Sequence, residues 1–149
     1  MSYHKCLMHI VFGTYSRKAT LPAESRESLY KYINSIIVSL KGKLIRIGGI
    51  EDHVHILVDA SPTVTITHLI GEIKRQSSMW MKGKPEFPDF EGWSKEYFVA
   101  SWSAHEVDVL CRYIENQVEH HKHRSTNDEF KAMFEDSKLM WSDDYKILM

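Results

Sequence analysis

The feature that most constrains the fold is a pair of short β-branched runs in the middle of the chain. Residues 43–51 and 53–60 each have the composition of a strand, and they are separated so narrowly that a tight turn is the natural connection. The sequence therefore predicts a β-hairpin at this point. The fold must then include an antiparallel sheet that contains this hairpin.

The segments on either side of the hairpin predict further strands and helices. Residues 3–14 alternate between two sets of side chains, and residues 97–102 form another short run, so both are expected to be strands. Two sets of residues recur at helical spacing: Leu29, Ile33, Ile36, Ile37 and Leu40, and then Leu69, Ile70, Ile73, Ser77, Trp80 and Met81. A third helix is predicted over about residues 107–124, and a weaker helical segment over residues 128–137.

This element order, β-α-β-β-α-β with trailing helices, is the split βαβ arrangement. We expect an α+β fold of the ferredoxin-like or RRM-like kind, in which helices cover one face of a single antiparallel sheet and an additional helix follows toward the C-terminus. The other face is expected to stay free for binding. With 149 residues, of which 43% are apolar, the chain fits one globular domain spanning residues 1–149.

The formal net charge of the chain is only −1. This is unusual for a protein that binds nucleic acid, because phosphate contacts normally come from a surplus of Lys and Arg. Any grip on DNA must therefore depend on local basic patches. The candidates are Lys41, Lys43 and Arg46, then Lys74 and Arg75, then Lys82 and Lys84, and finally Lys122, His123 and Arg124.

The early apolar run, residues 6–12, bears on where the protein works. The run is interrupted by His9 and lacks the length and flanks of a signal peptide or membrane span. Cys6 and Cys111 have no metal-binding spacing and are too few for a disulfide framework, so we expect both to be reduced. These features predict a cytoplasmic protein with no membrane partner.

Two histidines lie two residues apart in the second strand of the predicted hairpin. Because alternate side chains of a strand share a face, His53 and His55 should project together, with their Cα atoms about 6.5 Å apart. Both rings can then converge on one metal ion. By itself, a His-x-His pair is more often structural than metal-binding.

The third predicted helix presents two different faces. Leu110, Ile114, Val118 and His121 form one stripe, and Tyr113, Gln117, His120 and Arg124 form the other. The first stripe is expected to face the core. A phenol on the polar stripe, one turn from a carboxamide, is a candidate for chemistry, whereas propensity alone favours a packed ring with its hydroxyl in water.

Together, these motifs resemble the HUH-superfamily single-tyrosine transposases of small bacterial insertion sequences and their repeat-associated relatives. The resemblance rests mainly on the strand His53-Val54-His55 and the helix Tyr113-Ile114-Glu115-Asn116-Gln117. It extends to the opening strand at residues 9–12, the helix at residues 69–74, residues 93–102, and His120-His121. The two motifs in this order and at this separation are specific, whereas either alone is not.

The resemblance implies a chemical role for each motif. Tyr113 would be the catalytic nucleophile, and His53, His55 and Gln117 would hold a divalent metal ion, Mg²⁺ or Mn²⁺. Attack by Tyr113 on single-stranded DNA would give a 5′-phosphotyrosine link and a free 3′-hydroxyl. A phenol with a reference pKa of about 10 must lose its proton as it attacks, and a divalent ion can stabilise the developing charge. The implied activity is that of a DNA transposase that needs no nucleotide cofactor.

The resemblance also implies the partners. The substrate would be single-stranded DNA with hairpin ends, and the assembly would be a homodimer with shared active sites. In such a dimer the histidine pair of one subunit meets the tyrosine helix of the other. The alternative keeps Tyr113 beside the histidines of its own chain.

Three other functions fit part of the sequence. A non-catalytic module that binds single-stranded nucleic acid would share the fold, but it has no need for His53, His55 and Gln117. A domesticated relative that processes dispersed repeats would have the same active site. An HUH nuclease that initiates replication would share the chemistry, but it usually sits beside a helicase domain.

Several neighbouring residues are expected to have structural roles. Asp52 should serve the hairpin turn, since its side chain can orient a ligand histidine only if the hairpin twists it to the other face of the sheet. Gly48-Gly49 should mark a strand irregularity or a close approach of backbones. His120, His121 and His123 suit the end of a helix, which favours cationic side chains. Trp80, Trp93, Trp102 and Trp141 are expected to be mainly core or loop anchors, with a base-stacking platform among them as the alternative.

Overall fold

A computed structural model describes residues 3–122 and 125–137 of the chain. The strands are β1 (Leu7–Gly13), β2 (Lys43–Ile50), β3 (His53–Asp59) and β4 (Phe98–Ser101). The α-helices are α1 (Arg26–Ser39), α2 (Ile66–Met81), α3 (Val107–Glu115), α4 (Gln117–His120) and α5 (Thr126–Asp136). None of the helices in these ranges is both long and apolar enough to cross a membrane.

The strands form an antiparallel sheet in the order β2-β3-β1-β4. The predicted hairpin is present as β2 and β3, in which Ile50 pairs with His53. Strand β1 lies beside β3 in the centre of the sheet, where Val11 is opposite His55. The α+β, split βαβ architecture is therefore confirmed, and the His-x-His strand is one of its two central strands.

The first face of the sheet carries the main core, as the alternation in the sequence predicts. Ile10 and Phe12 of β1 pack with Val54, Ile56 and Val58 of β3, and all five are almost completely buried. Helices α1 and α2 cover them with the apolar residues of their predicted stripes. Each fully buried side chain of this kind stabilises the fold by about 1.5–3 kcal/mol.

The second face of the sheet is covered, so the expectation that it stays free is wrong. Leu57 of β3 packs against Leu110 and Ile114 of α3. Val11 of β1 packs in a separate cluster with Phe130 of α5. The alternation also turns apolar residues of both central strands toward this face. These residues must be shielded from water, and the helices that follow β4 pack over them.

The helix predicted over residues 107–124 is interrupted. Helix α3 ends at Glu115, and Asn116 has φ −96° and ψ 22°, outside the helical range, before α4 begins. Asn is a poor residue inside helices because its side chain competes for backbone hydrogen bonds. The break turns Gln117 inward, at 1% exposure, and Val118 outward, at 54% exposure, which reverses their predicted positions.

Gly48 allows α3 to lie directly on β2. A Cβ atom at Gly48 would stand 2.3 Å from the carbonyl oxygen of Ile114. That is far below a normal contact, so only glycine fits without moving the helix backbone. The predicted close approach at this glycine pair is confirmed, and it sets the distance between the helix that carries Tyr113 and the histidine strand.

We expect Gly48→Ala to lower the free energy of unfolding by about 1–3 kcal/mol, because the added methyl group must displace α3. Gly71→Ala is the matched control, since Gly71 is exposed on α2 and a Cβ there has no neighbour within 4 Å. That change should raise the free energy of unfolding by about 0.5–1 kcal/mol. Urea denaturation measures both, and a Gly48→Ala protein of native stability would contradict the close approach.

Candidate active site and metal centre

Side chains from β3, α4 and α5 converge beneath the second face of the sheet. His53 and His55 share that face as predicted, and both are at most 1% exposed. Gln117 and Glu129 reach them from α4 and α5 and are equally buried. The ligand atoms of His53, His55 and Glu129 all lie within 4.8 Å of one another, so this group could hold a metal ion.

Glu129 is the centre of the group's hydrogen bonding. Its Oε1 lies 2.8 Å from His55 Nε2 and 3.5 Å from His53 Nε2. Its Oε2 lies 2.7 Å from His121 Nε2, at the end of α4. A buried carboxylate is costly unless it is paired, and these three imidazoles provide the pairing. The two histidines of β3 also fasten α5 to the sheet.

Gln117 lies in the same group, as the sequence predicts. Its terminal amide atom is 3.1 Å from His53 Nε2, and the same position is 3.2 Å from Glu129 Oε1. An amide offers an oxygen that accepts and a nitrogen that donates, so Gln117 can present either end to the group. The two predicted histidines and the predicted glutamine are therefore brought together.

The ring nitrogens that face away from Glu129 are also held. His53 Nδ1 donates to Asp52 Oδ1 at 2.7 Å, and His9 Nε2 lies 2.9 Å from His55 Nδ1. Asp52 sits in the hairpin turn as expected, but its side chain is also twisted round to orient His53. Such partners fix the orientation of each imidazole.

Burial and hydrogen bonding set opposite charges on neighbouring groups. Burial lowers the pKa of His55 to about 4, despite its contact with Glu129. Burial also acts to lower the pKa of His53, but hydrogen bonds to Asp52 and Glu129 outweigh it and raise that pKa to about 9. Burial would raise the pKa of Glu129, but its bonds to both histidines hold it well below its usual range. Protonated His53 therefore faces an ionised Glu129 at neutral pH.

Tyr113 lies beside this group and is half-buried. Its ring centroid is 5.5 Å from that of His55 and 4.8 Å from that of His120. It also lines a cavity of about 180 Å³ that reaches Glu129. In this structure the phenol is thus close to the histidines of its own chain.

The basic residues proposed to contact DNA occupy different surroundings. Lys74 donates to the carbonyl oxygens of Ser94, Lys95 and Glu96, which uses its three protons, and Arg75 pairs with Glu72. Arg46 pairs with Glu115 at 3.0 Å, whereas Lys41 and Lys43 are exposed. Arg124 lies outside the described residues. A DNA contact by any of these residues stays a prediction.

Sequence reasoning missed Glu129 and His9. Glu129 lies in the weaker helical segment, with no motif around it, and nothing local marks it as buried. His9 had a usable signal, because it interrupts an apolar strand on the face opposite Ile10 and Phe12. The prediction that His121 serves as a helix-end cation does not include its contact with Glu129.

Comparisons with known proteins agree with the fold and with the motifs. A family model described as "Transposase IS200 like" matches residues 2–117. Transposases for insertion sequence element IS200 from Salmonella typhimurium and Salmonella typhi are each 22% identical over 122 residues, covering 78% of this chain and 80% of theirs. Glu129 lies beyond the residues that the family model matches.

Two solved structures share the architecture. One, from Deinococcus radiodurans and described as a transposase, has a TM-score of 0.59 and 24% identity, covering 78% of this chain and 93% of that one. The other is a REP-associated tyrosine transposase bound to a REP hairpin, with a TM-score of 0.57 and 14% identity, covering 76% of this chain and 67% of that one. At these identities the likeness establishes the fold.

Proposed function

Since the chain belongs to the IS200-like family of single-tyrosine HUH transposases, we propose that it cuts and rejoins single-stranded DNA through a covalent bond to Tyr113. One observation carries the proposal: the Tyr113 ring lies 5.5 Å from His55, in the group that could hold a metal ion. A non-catalytic binding module would gain nothing from burying such a group. Hairpin DNA is the proposed substrate, supported by the relative that is bound to one.

The proposed reaction exchanges one phosphodiester bond for another. The Tyr113 hydroxyl attacks the scissile phosphorus and loses its proton, while the bond from phosphorus to the 3′ oxygen breaks and that oxygen gains a proton. The products are a 5′-phosphotyrosine and a free 3′-hydroxyl. Because the number of ester bonds is unchanged, attack by a 3′-hydroxyl can reverse the step without a nucleotide cofactor.

His53, His55, Glu129 and Gln117 would hold the divalent ion. The donor set fits, since two imidazole nitrogens, a carboxylate oxygen and an amide oxygen converge within the buried group. When bound, such an ion polarises the scissile phosphate and stabilises its developing charge. Mg²⁺ or Mn²⁺ is proposed, and the imidazoles favour Mn²⁺ because Mg²⁺ prefers oxygen ligands and water.

The proposal is tested with labelled single-stranded oligonucleotides that contain hairpins. The protein with Mn²⁺ should form a protein–DNA adduct that survives denaturation, and peptide mass spectrometry should place the DNA on Tyr113. Excess chelator should stop adduct formation, and added metal should restore it. Attachment to another residue, or full cutting in excess chelator, would contradict the chemistry proposed for this site.

The homodimer with shared active sites stays a prediction, and the geometry within one chain favours a complete site in each subunit. We therefore expect a mixture of Tyr113→Phe and His53→Ala proteins to regain little cleavage. With shared sites each heterodimer would contain one intact set out of two, so an equimolar, fully exchanged mixture, about half of it heterodimer, would recover about a quarter of the native cleavage. Subunit exchange is verified with differently tagged copies, and such a recovery would establish the shared arrangement.

A further inference from the structure

The proposed chemistry does not account for the cavity beside Tyr113. It lies between α3, α5 and the edge of the sheet at β4, and its volume is about 180 Å³. An engineered apolar cavity of about 150 Å³ admits benzene, so this one has room for a six-membered ring with substituents. Its walls are mainly apolar or aromatic, and they include Phe98, Trp102, Leu110 and Met133.

The place of the cavity relates it to the DNA strand. If Tyr113 attacks phosphorus, the nucleotides on either side of the scissile phosphate lie next to the phenol. The bases of a single strand have no pairing partner, and proteins usually hold such bases against aromatic side chains. The cavity offers such a surface directly beside Tyr113.

One polar group on the rim of the cavity can distinguish one base from another. The indole Nε1–H of Trp102 is buried and has no hydrogen-bond partner among the residues that the structure describes. Asp136 lies on the exposed rim, and its carboxylate accepts hydrogen bonds. Both oxygens of Glu129 are already engaged by His55 and His121.

We propose that this cavity, the base pocket, holds one unstacked base of a nucleotide that flanks the scissile phosphate, and that it prefers cytosine. Cytosine is a single ring that can pack against Trp102, and its exocyclic amino group can donate to Asp136, as carboxylates are known to accept from that group. Thymine places a carbonyl oxygen there instead, which a carboxylate repels. A purine has two fused rings and is larger than the single six-membered ring that a cavity of this volume admits. The inference rests on the proposed function for its link to cleavage, and base binding can be measured separately.

The first test measures binding without cleavage. The chain has four tryptophans, whose indole Nε1–H signals can be resolved by NMR in ¹⁵N-labelled protein and assigned with Trp→Phe variants. Titration with the free nucleosides deoxycytidine and thymidine avoids any contribution from phosphate. Deoxycytidine should shift the Trp102 signal saturably and more tightly than thymidine, while the signal of Trp80, on the other side of the sheet, stays in place. A Trp102 signal that does not move would overturn the base pocket.

Ala132→Leu narrows the base pocket and leaves Trp102 intact, because Ala132 is one of the lining residues. The variant should lose the response to deoxycytidine and keep the remaining spectrum of the folded protein. Trp80→Phe is the control for a changed tryptophan outside the base pocket. An undiminished deoxycytidine response in Ala132→Leu would place the nucleoside elsewhere and overturn the assignment.

The second test links the base pocket to cleavage. The native protein is allowed to react with a randomised single-stranded library, and the bases on both sides of each cut are sequenced. Cytosine should be enriched roughly tenfold at one flanking position, in Trp80→Phe as in the native protein, and the enrichment should fall in Ala132→Leu. Adducts without enrichment, or with another base enriched, would overturn the proposal. If no adduct forms at all, the proposed function fails, and the NMR titration still decides the base pocket.

Discussion

Tyr113→Phe is expected to reduce covalent attachment to DNA by on the order of a thousandfold or more, with hairpin binding almost unchanged. Only the phenolic oxygen is removed, and the ring that packs beside His55 and His120 remains. Gel analysis of denatured reactions measures adduct formation, and fluorescence anisotropy measures binding. The two readouts separate loss of the nucleophile from loss of the site.

Tyr3→Phe is the matched control, because Tyr3 is 91% exposed and its hydroxyl lies in solvent-accessible surroundings. It should form adducts at the native rate. If Tyr113→Phe still forms adducts, the nucleophile lies elsewhere. If both adducts and binding are lost, Tyr113 has a role in holding the DNA that its position beside His55 does not explain.

The sheet and the first two helices could be predicted because one chemical pattern determines each of them. The narrow gap between β2 and β3 permits only a tight turn, and the alternation in β1 and β3 decides which side chains face α1 and α2. The same alternation placed His53 and His55 on one face. These are local patterns, and their consequences follow from the geometry of a strand.

The packing of α3, α4 and α5 on the second face of the sheet could not be predicted in the same way. The stripe of Leu110, Ile114 and Val118 assumed one straight helix, and the break at Asn116 depends on how α3 and α4 meet the sheet. The family resemblance predicts Gln117 as a metal ligand, but it does not predict the helix break at Asn116 that turns this side chain inward. Periodicity describes a helix and does not report where tertiary contacts interrupt it.

Glu129 was missed for a related reason. Its partners on the strand lie far away in the sequence, and His55 is 74 residues from it. Acidic residues in a weak helical segment are normally solvated, so the sequence gives no reason to bury this one. Its role depends on α5 lying against the sheet, where Val11 and Phe130 pack in one apolar cluster.

Glu129→Gln is expected to have two large effects, because the carboxylate is both buried and convergent with the histidines. Affinity for Mn²⁺ should fall by roughly 10- to 100-fold or more, as for changes that disturb metal-ligand groups. The metal-free protein should also lose about 3 kcal/mol of stability, because the buried imidazoles of His53, His55 and His121 lose the carboxylate that they contact. Isothermal titration calorimetry measures the affinity, and urea denaturation in the presence of chelator measures the stability.

Glu135→Gln removes an exposed carboxylate from the same helix, so it should leave both quantities near their native values. Comparing the two variants therefore isolates the effect of burial and convergence from that of charge on α5. Native Mn²⁺ affinity in Glu129→Gln, together with increased adduct formation, would contradict a ligand role. In that outcome Glu129 would instead compete with the metal or the DNA for the two histidines, and α5 would act as a cover over the site.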